Sequence, residues 1–245
     1  MSHTVLRRVM IRMLHDPWFA AATYEDPDGA LVGLDLSPTE RGWLAATPRA
    51  AWRVDHDRPG RVLAALAEEY PATVSLAAEQ AASFLRSPEF HAAVQDRGSL
   101  GLAFGAHLAR APDPRARALA RLELAVATVR RAPAVAQPSA PGRLRLSPRV
   151  ALVWVPSGAL ELFAAVRRGE AGGALGTDRE AALVTLSPSS EANLEPLAPA
   201  LVQLLTIAGE ECERLRLLAA AHGHDLTTDE AAQVIDDLVG DGILV

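Results

Sequence analysis

Histidine and cysteine are the residues from which chemistry would most readily start in this chain, and both are sparse. There are seven histidines and a single cysteine, Cys212. Only Asp55-His56-Asp57 and His222-Gly223-His224-Asp225 gather possible metal ligands within a few residues. A metal site needs donors on converging vectors, commonly two histidines four apart on one helix face. His222 and His224 are two apart across a glycine, a spacing that suits a solvated turn between helices. Asp55-His56-Asp57 stands just before Pro59 and reads as a loop or a helix cap. One cysteine allows no intrachain disulfide and no CxxC metal site. Cys212 falls in an expected helix beside Glu211 and Glu213, and acidic neighbours raise a thiol pKa, so it is not an activated nucleophile. No GxSxG elbow occurs, and a chain in which all 24 basic residues are arginine cannot carry GxxxxGK[ST]. The glycine-rich stretch 169–176 is not GxGxxG and reads as a connection between strands. Site residues of an enzyme are therefore not evident, and no cofactor is expected in this chain.

The elements that would position any site fall into two regions. A run from Ala132 to Gly142 holds three prolines, a glycine and no charge, and reads as a semi-extended linker. The expected organisation is an all-α helical bundle over 1–131, a linker over 132–142 and a small domain over 143–245. Residues 1–142 carry a net charge of +1 and residues 143–245 a net of −7. With 49% apolar residues the chain can bury a core. It has neither an apolar signal-like run at its start nor a span of about 18 apolar residues, so a cytoplasmic protein without a membrane segment is expected.

In the first region, Ser37-Pro38-Thr39-Glu40 is a capping box with proline at the first helical position. Further helices are expected over Arg61–Tyr70, Leu76–Leu85, from Ser87-Pro88 through Val94, over Ser99–Leu108 and over Ala116–Arg131. In the last, Leu119, Leu122, Val126 and Val129 form one stripe. Six or seven helices in all make a bundle. After the linker the period changes. Val150–Val155, Leu160–Val166 and Ala181–Leu186 are strand candidates, though the second also fits a short helix. Three helices follow. The first carries Leu197, Leu201, Leu204, Leu205 and Ala208; the second runs from Glu210 to His222; the third starts at the capping box Thr227-Thr228-Asp229-Glu230. The fold class is thus α+β, a helical bundle followed by a three-strand, three-helix domain of winged-helix character.

A winged helix raises the possibility of a transcription regulator with a helical sensor domain. A recognition helix needs Arg, Lys, Asn or Gln on its exposed face. The last helix instead carries Asp229, Glu230, Asp236 and Asp237, with Gln233 as its one base-reading candidate, and four carboxylates oppose phosphates. No nucleic-acid partner is expected. The alternative surface is a sheet edge, to which an extended peptide can add with main-chain hydrogen bonds. The strand 181–186, through Ala182, Val184 and Leu186, and the final helix, through Gln233, Asp236 and Asp237, could wall such a groove. The competing expectation is that 181–186 is central and paired on both sides.

Several stretches resemble partner proteins of the multinuclear non-haem iron-dependent oxidative enzymes that modify ribosomally made peptides, as in methanobactin and thiaglutamate biosynthesis. They are His15-Asp16-Pro17-Trp18-Phe19, Leu34 to Leu44 with Ser37-Pro38-Thr39-Glu40 at its centre, and Leu66-Ala67-Glu68-Glu69-Tyr70-Pro71. Phe84-Leu85-Arg86-Ser87-Pro88-Glu89-Phe90, Arg97-Gly98-Ser99-Leu100 and Leu119 to Ala125 follow in order. The resemblance covers most of residues 12–131. The C-terminal region is similar in layout to the peptide-recognition domains of such biosynthesis, in which a peptide adds as a fourth strand. The resemblance implies a non-catalytic subunit that binds a precursor peptide and forms a heterodimer with the oxidative enzyme. It places the iron in that enzyme, and no metal ligand in this chain. A free-standing metalloenzyme using His222, His224 or the 55–57 cluster is the remaining alternative.

Overall fold

The computed structural model describes residues 3–52, 57–133, 140–187, 191–222 and 227–245. The chain forms two compact units, Met1–Arg117 and Ala118–Val245.

The first unit is helical throughout its described residues. It opens with α1 (His3–His15), α2 (Pro17–Glu25), α3 (Pro27–Ala30) and α4 (Pro38–Ala46). α2, α3 and α4 each start with proline behind Asp16, Asp26 or Ser37. Those three side chains accept hydrogen bonds from the backbone N–H of Phe19, Gly29 and Glu40. Proline at the first helical position sacrifices no hydrogen bond, because that N–H has no partner within the helix. Both halves of the Ser37–Glu40 capping box are present. After a 3₁₀ turn at Arg49–Trp52 come α5 (Arg58–Glu69), α6 (Pro71–Leu76) and α7 (Ala78–Ser83). A second 3₁₀ turn (Phe84–Arg86) leads to α8 (Pro88–Gln95) and α9 (Leu100–Leu108). One core gathers Val9, Met13, Phe19, Leu31, Leu36 and Leu44. Another is aromatic, with Tyr70 and Phe104, Phe84 and Phe90, and Phe84 and Phe104 meeting edge to face. α1 and α2 lie ahead of the helices expected from the sequence. Three arginines interrupt α1 in linear order, yet Val9 and Met13, four apart, share its buried face.

The helix α10 (Pro114–Arg131) starts at the end of the first unit and continues into the second. The second unit then runs β1 (Arg143–Leu144), β2 (Ala151–Pro156), α11 (Ala159–Arg167), β3 (Arg179–Leu186) and β4 (Ala192–Pro196). It ends with α12 (Pro199–Ile207), β5 (Cys212–Glu213), α13 (Arg214–His222) and α14 (Thr228–Gly240). β2, β3 and β4 form an antiparallel sheet in that order, and β1 pairs with β5. Alternation puts Val184, Val153, Leu186 and Leu194 on one face, where they pack with Ala125, Val126 and Val129 of α10. Leu183 and Leu152 lie on the other face, in a core with Leu204, Leu205, Leu217, Ile235 and Leu238 of α12–α14. The second unit is therefore a sheet with helices on both faces. Its α10 layer comes from residues that precede the expected linker. Residues 134–139 of that linker lie outside the described residues.

Three expectations for this region are corrected. Leu160–Val166 is helix, not strand: Ala159, Leu162, Phe163 and Ala165 are its buried positions, a helical spacing, and Gly158 enters it in the left-handed conformation at φ 81°. Its place in the sheet is taken by β4, whose Asn193, Glu195 and Pro196 are poor strand formers held extended by pairing with β3. Cys212 is not mid-helix but in β5, opposite Leu144.

Candidate functional site

The expected peptide-binding strand, Ala181–Leu186, lies within β3, the central strand. Ala182 stands opposite Val153 and Pro196, and Val184 opposite Ala151 and Leu194. Both side chains are fully buried. Neither residue has a free edge, so strand addition at Ala182 and Val184 is ruled out. Leu186 stands opposite Ala192 on β4, but the β2 ladder stops two residues earlier, at Ala151 opposite Val184.

Gln233, Asp236 and Asp237 do not wall a groove with β3 either. α14 turns Ala231, Ile235 and Leu238 into the core and leaves these three polar residues on its outer face. There the Gln233 amide donates to Asp237 at 2.7 Å, and Asp236 pairs with Arg214 of α13 at 2.7 Å. An amphipathic helix packed on a sheet must direct its charged stripe away from that sheet.

The open backbone lies at the outer strands. The N–H of Ser187 donates to the carbonyl of Glu191 at 2.8 Å, and the N–H of Leu197 to that of Ala181 at 2.9 Å. In an antiparallel ladder the bonded residues alternate. Odd-numbered residues of β3 and β4 therefore bond to each other. The N–H and C=O groups of Ala192 and Leu194, and the C=O of Pro196, point outward from β4. Among the described residues no backbone hydrogen bond from outside the sheet reaches Ala192–Pro196. Asn193, Glu195 and Pro196 are solvent-exposed, while Leu194 packs inward beside Val184. β2 is the opposite edge. It carries Trp154, 41% exposed, with the Arg179 guanidinium 5.5 Å from its ring. The edge role of Ala192 and Leu194 had no clear signal in the sequence, because their strand contains a charge and a proline.

The clustered histidine motifs fall mostly outside the described residues: residues 55 and 56, and residues 223–225. Asp57 caps α5 without a side-chain hydrogen bond. His222 ends α13, with Nδ1 2.7 Å from the Leu218 carbonyl of its own helix and Nε2 3.0 Å from the Thr228 hydroxyl, so one ring nitrogen is held within α13 and the other ties it to α14. No group of three His, Cys, Asp or Glu side chains able to hold a metal occurs among the described residues. Burial raises the Cys212 thiol above its ordinary pKa.

One arrangement that the sequence did not signal invites a catalytic reading. In the first unit His107 Nε2 lies 3.0 Å from the Ser83 hydroxyl, and its Nδ1 lies 3.7 Å from Glu89. Ser83 also lines a cavity of about 540 Å³. The same Nε2, however, is 3.0 Å from the carbonyl oxygen of Gln80, a group that can only accept. The Gln80 side-chain amide nitrogen, which can only donate, also lies 3.1 Å from Nε2, so this nitrogen is shared among Ser83 and both the backbone and the side chain of Gln80. The Ser83 hydroxyl itself donates to the Gln80 carbonyl at 2.7 Å. Arg110 also pairs with Glu89. The cluster is a polar tie among α7, α8 and α9, not a hydroxyl–imidazole–carboxylate relay.

Two other histidines lie in the first unit, His91 buried and His15 half-buried. Burial and the Arg12 guanidinium lower the His91 pKa to about 4, although a hydrogen bond to the Leu85 backbone opposes the shift. Burial and Arg58 lower that of His15. His91 Nε2 and His15 Nδ1 are buried without a hydrogen-bond partner. A neutral imidazole tolerates this and a charged one does not. No family model and no curated protein sequence matches this chain.

Proposed function

We propose that this chain is a non-catalytic substrate-presenting subunit. It binds a ribosomally made precursor peptide in extended form and delivers it to a separate multinuclear iron-dependent oxidative enzyme. The observation that carries the reading is the outer edge of β4, where Ala192 and Leu194 offer unpaired N–H and C=O groups on a strand buttressed by α10. A peptide added there becomes the fourth strand of a winged-helix-like domain. Main-chain hydrogen bonds contribute about 1 kcal/mol each net, so selectivity comes from alternate side chains of the peptide against Leu194 and its neighbours. The assignment of the partner rests on the resemblance of residues 12–131 to the partner proteins of such enzymes. In this reading the helical unit docks on the enzyme, and the iron and the redox chemistry belong to that enzyme. Tethering raises the effective concentration of the peptide at the iron site without any new bond to it.

The regulator reading gains nothing from α14, whose outer face carries Asp229, Asp236 and Asp237 and no basic residue.

The substitution Leu194→Pro tests the proposal. It removes the outward N–H while leaving the odd-numbered bonds to β3, and proline is tolerated on edge strands. Titration calorimetry with a candidate precursor peptide that binds the unaltered chain is expected to show binding weakened about tenfold or more, with association to the candidate oxidative enzyme unchanged. Undiminished peptide binding by a folded Leu194→Pro protein would contradict strand addition at β4.

A further inference from the structure

β3 is longer than β2 by two residues at one end. Thr185 and Leu186 are paired with Asn193 and Ala192 of β4, but β2 begins only at Ala151, opposite Val184. By the alternation that aims Ala192 and Leu194 outward, the N–H and C=O of Leu186 point away from β4 into the space where β2 would continue. β2 cannot be extended to fill that space. The N–H of Arg149, the residue in register with Leu186, donates to Ser147 Oγ at 3.4 Å, that of Ser147 to the Ile243 carbonyl at 2.9 Å, and that of Arg145 to the Val245 carbonyl at 2.9 Å. The approach to β2 is thus a ribbon bonded to residues 243–245, not to β3.

The space is a cavity of about 310 Å³ lined by Ser147, Arg149, Val150, Thr185, Leu186 and Asp241, with residues 242, 243 and 245 closing one side. The only hydrogen bond made by Arg149 is through its backbone N–H, to Ser147 Oγ; its guanidinium has no partner among the described residues. A half-buried arginine with five free donors suits a carboxylate in a forked pair. Asp241, on the same lining, disfavours a second carboxylate.

We infer that this gap is a second peptide-binding site. It takes a short extended segment with one acidic residue, which lies beside Leu186 in the place of a continued β2 and directs its carboxylate to Arg149. Leu186 supplies one donor and one acceptor, and the volume admits only a few residues. Binding is correspondingly weak, in the range of about 1 mM for an isolated tripeptide. The site is distinct from the β4 edge and does not depend on the adaptor reading.

Amide-resolved NMR of the whole chain tests it with two probes, acetyl-Val-Glu-Val-amide and acetyl-Val-Lys-Val-amide. In the free protein the Leu186 amide is expected to exchange with solvent about 100-fold faster than those of Ala182 and Val184. The glutamate probe is expected to shift the Leu186 and Arg149 resonances saturably. The lysine probe, and the glutamate probe with Arg149→Gln, are expected to bind about fivefold more weakly or worse. Asp241→Asn is expected to improve binding of a doubly acidic probe, acetyl-Glu-Val-Glu-amide, which keeps the test open should Arg149→Gln fail to fold. A Leu186 amide as protected as Val184, no saturable shift by about 10 mM probe, or equal affinity for the two probes would overturn the inference. Shifts confined to Ala192 and Leu194 would also overturn it, while leaving strand addition at β4 standing. Shifts at Leu186 with none at β4 under the precursor peptide would have the opposite meaning.

Discussion

His91 shows how far a single side chain can report on the fold. Its folded pKa, about 4, lies below the ordinary 6.5. Between these values the unfolded chain binds more protons than the folded one. The contribution of neutral His91 is therefore fully present above about pH 6.5 and is lost as pH falls towards 4. His15, shifted in the same direction, adds to the loss. The span for His91 corresponds to about 3 kcal/mol at most. Thermal unfolding between pH 7 and 4 is expected to show this decline. His91→Asn, which keeps a donor near Nδ1 for the Leu85 carbonyl but cannot titrate, is expected to flatten the slope. An unchanged slope in the variant would move the acid sensitivity elsewhere. The caps could be read from sequence at this scale, because Ser37 and Thr227 each sit three residues before a glutamate and need no tertiary information. Both boxes form, and Thr227→Ala is expected to cost about 1 kcal/mol of stability in a denaturant titration. The contact of Ser83 with His107, 24 residues apart, could not be read, since no local pattern joins α7 to α9.

At the scale of elements, long periodic helices were the legible part. The stripe Leu119, Leu122, Val126 and Val129 is an interior face of α10, as its spacing predicts. Short apolar runs were not legible. Leu160–Val166 has the composition of either element, and burial of Leu162, Phe163 and Ala165 decides for helix. β4 was invisible for the opposite reason: its residues have little intrinsic preference for strand, and pairing with β3 holds them there. That one missed strand converts β3 from an edge to a centre, and it moves the open backbone from Ala182 and Val184 to Ala192 and Leu194. Strand order depends on long-range pairing, which no local pattern specifies. The central place of β3 carries its own expectation. Val184→Asp would bury an unpaired charge between sheet and α10 and is expected to destabilise the second unit by about 3 kcal/mol or more. A change within about 0.5 kcal/mol in a denaturant titration would contradict the packing described here.

At the scale of the whole molecule, the net charge of −6 and the acidic outer face of α14 oppose close approach of phosphates to that helix. The described residues offer no three-ligand metal group, and the adaptor reading assigns the metal to another polypeptide. Metal analysis of the chain purified alone is expected to find iron and zinc well below one per molecule. Stoichiometric, tightly held metal would instead favour a free-standing metalloenzyme. The adaptor reading turns on whether an extended peptide completes the sheet at β4. Hydrogen exchange at single-amide resolution, with and without the precursor peptide, measures this directly. The Ala192 and Leu194 amides are expected to exchange freely in the free chain and to slow by about tenfold or more when the peptide is bound, while Asn193, already bonded to β3, changes little. Saturating peptide that leaves Ala192 and Leu194 as exposed as before would contradict the account.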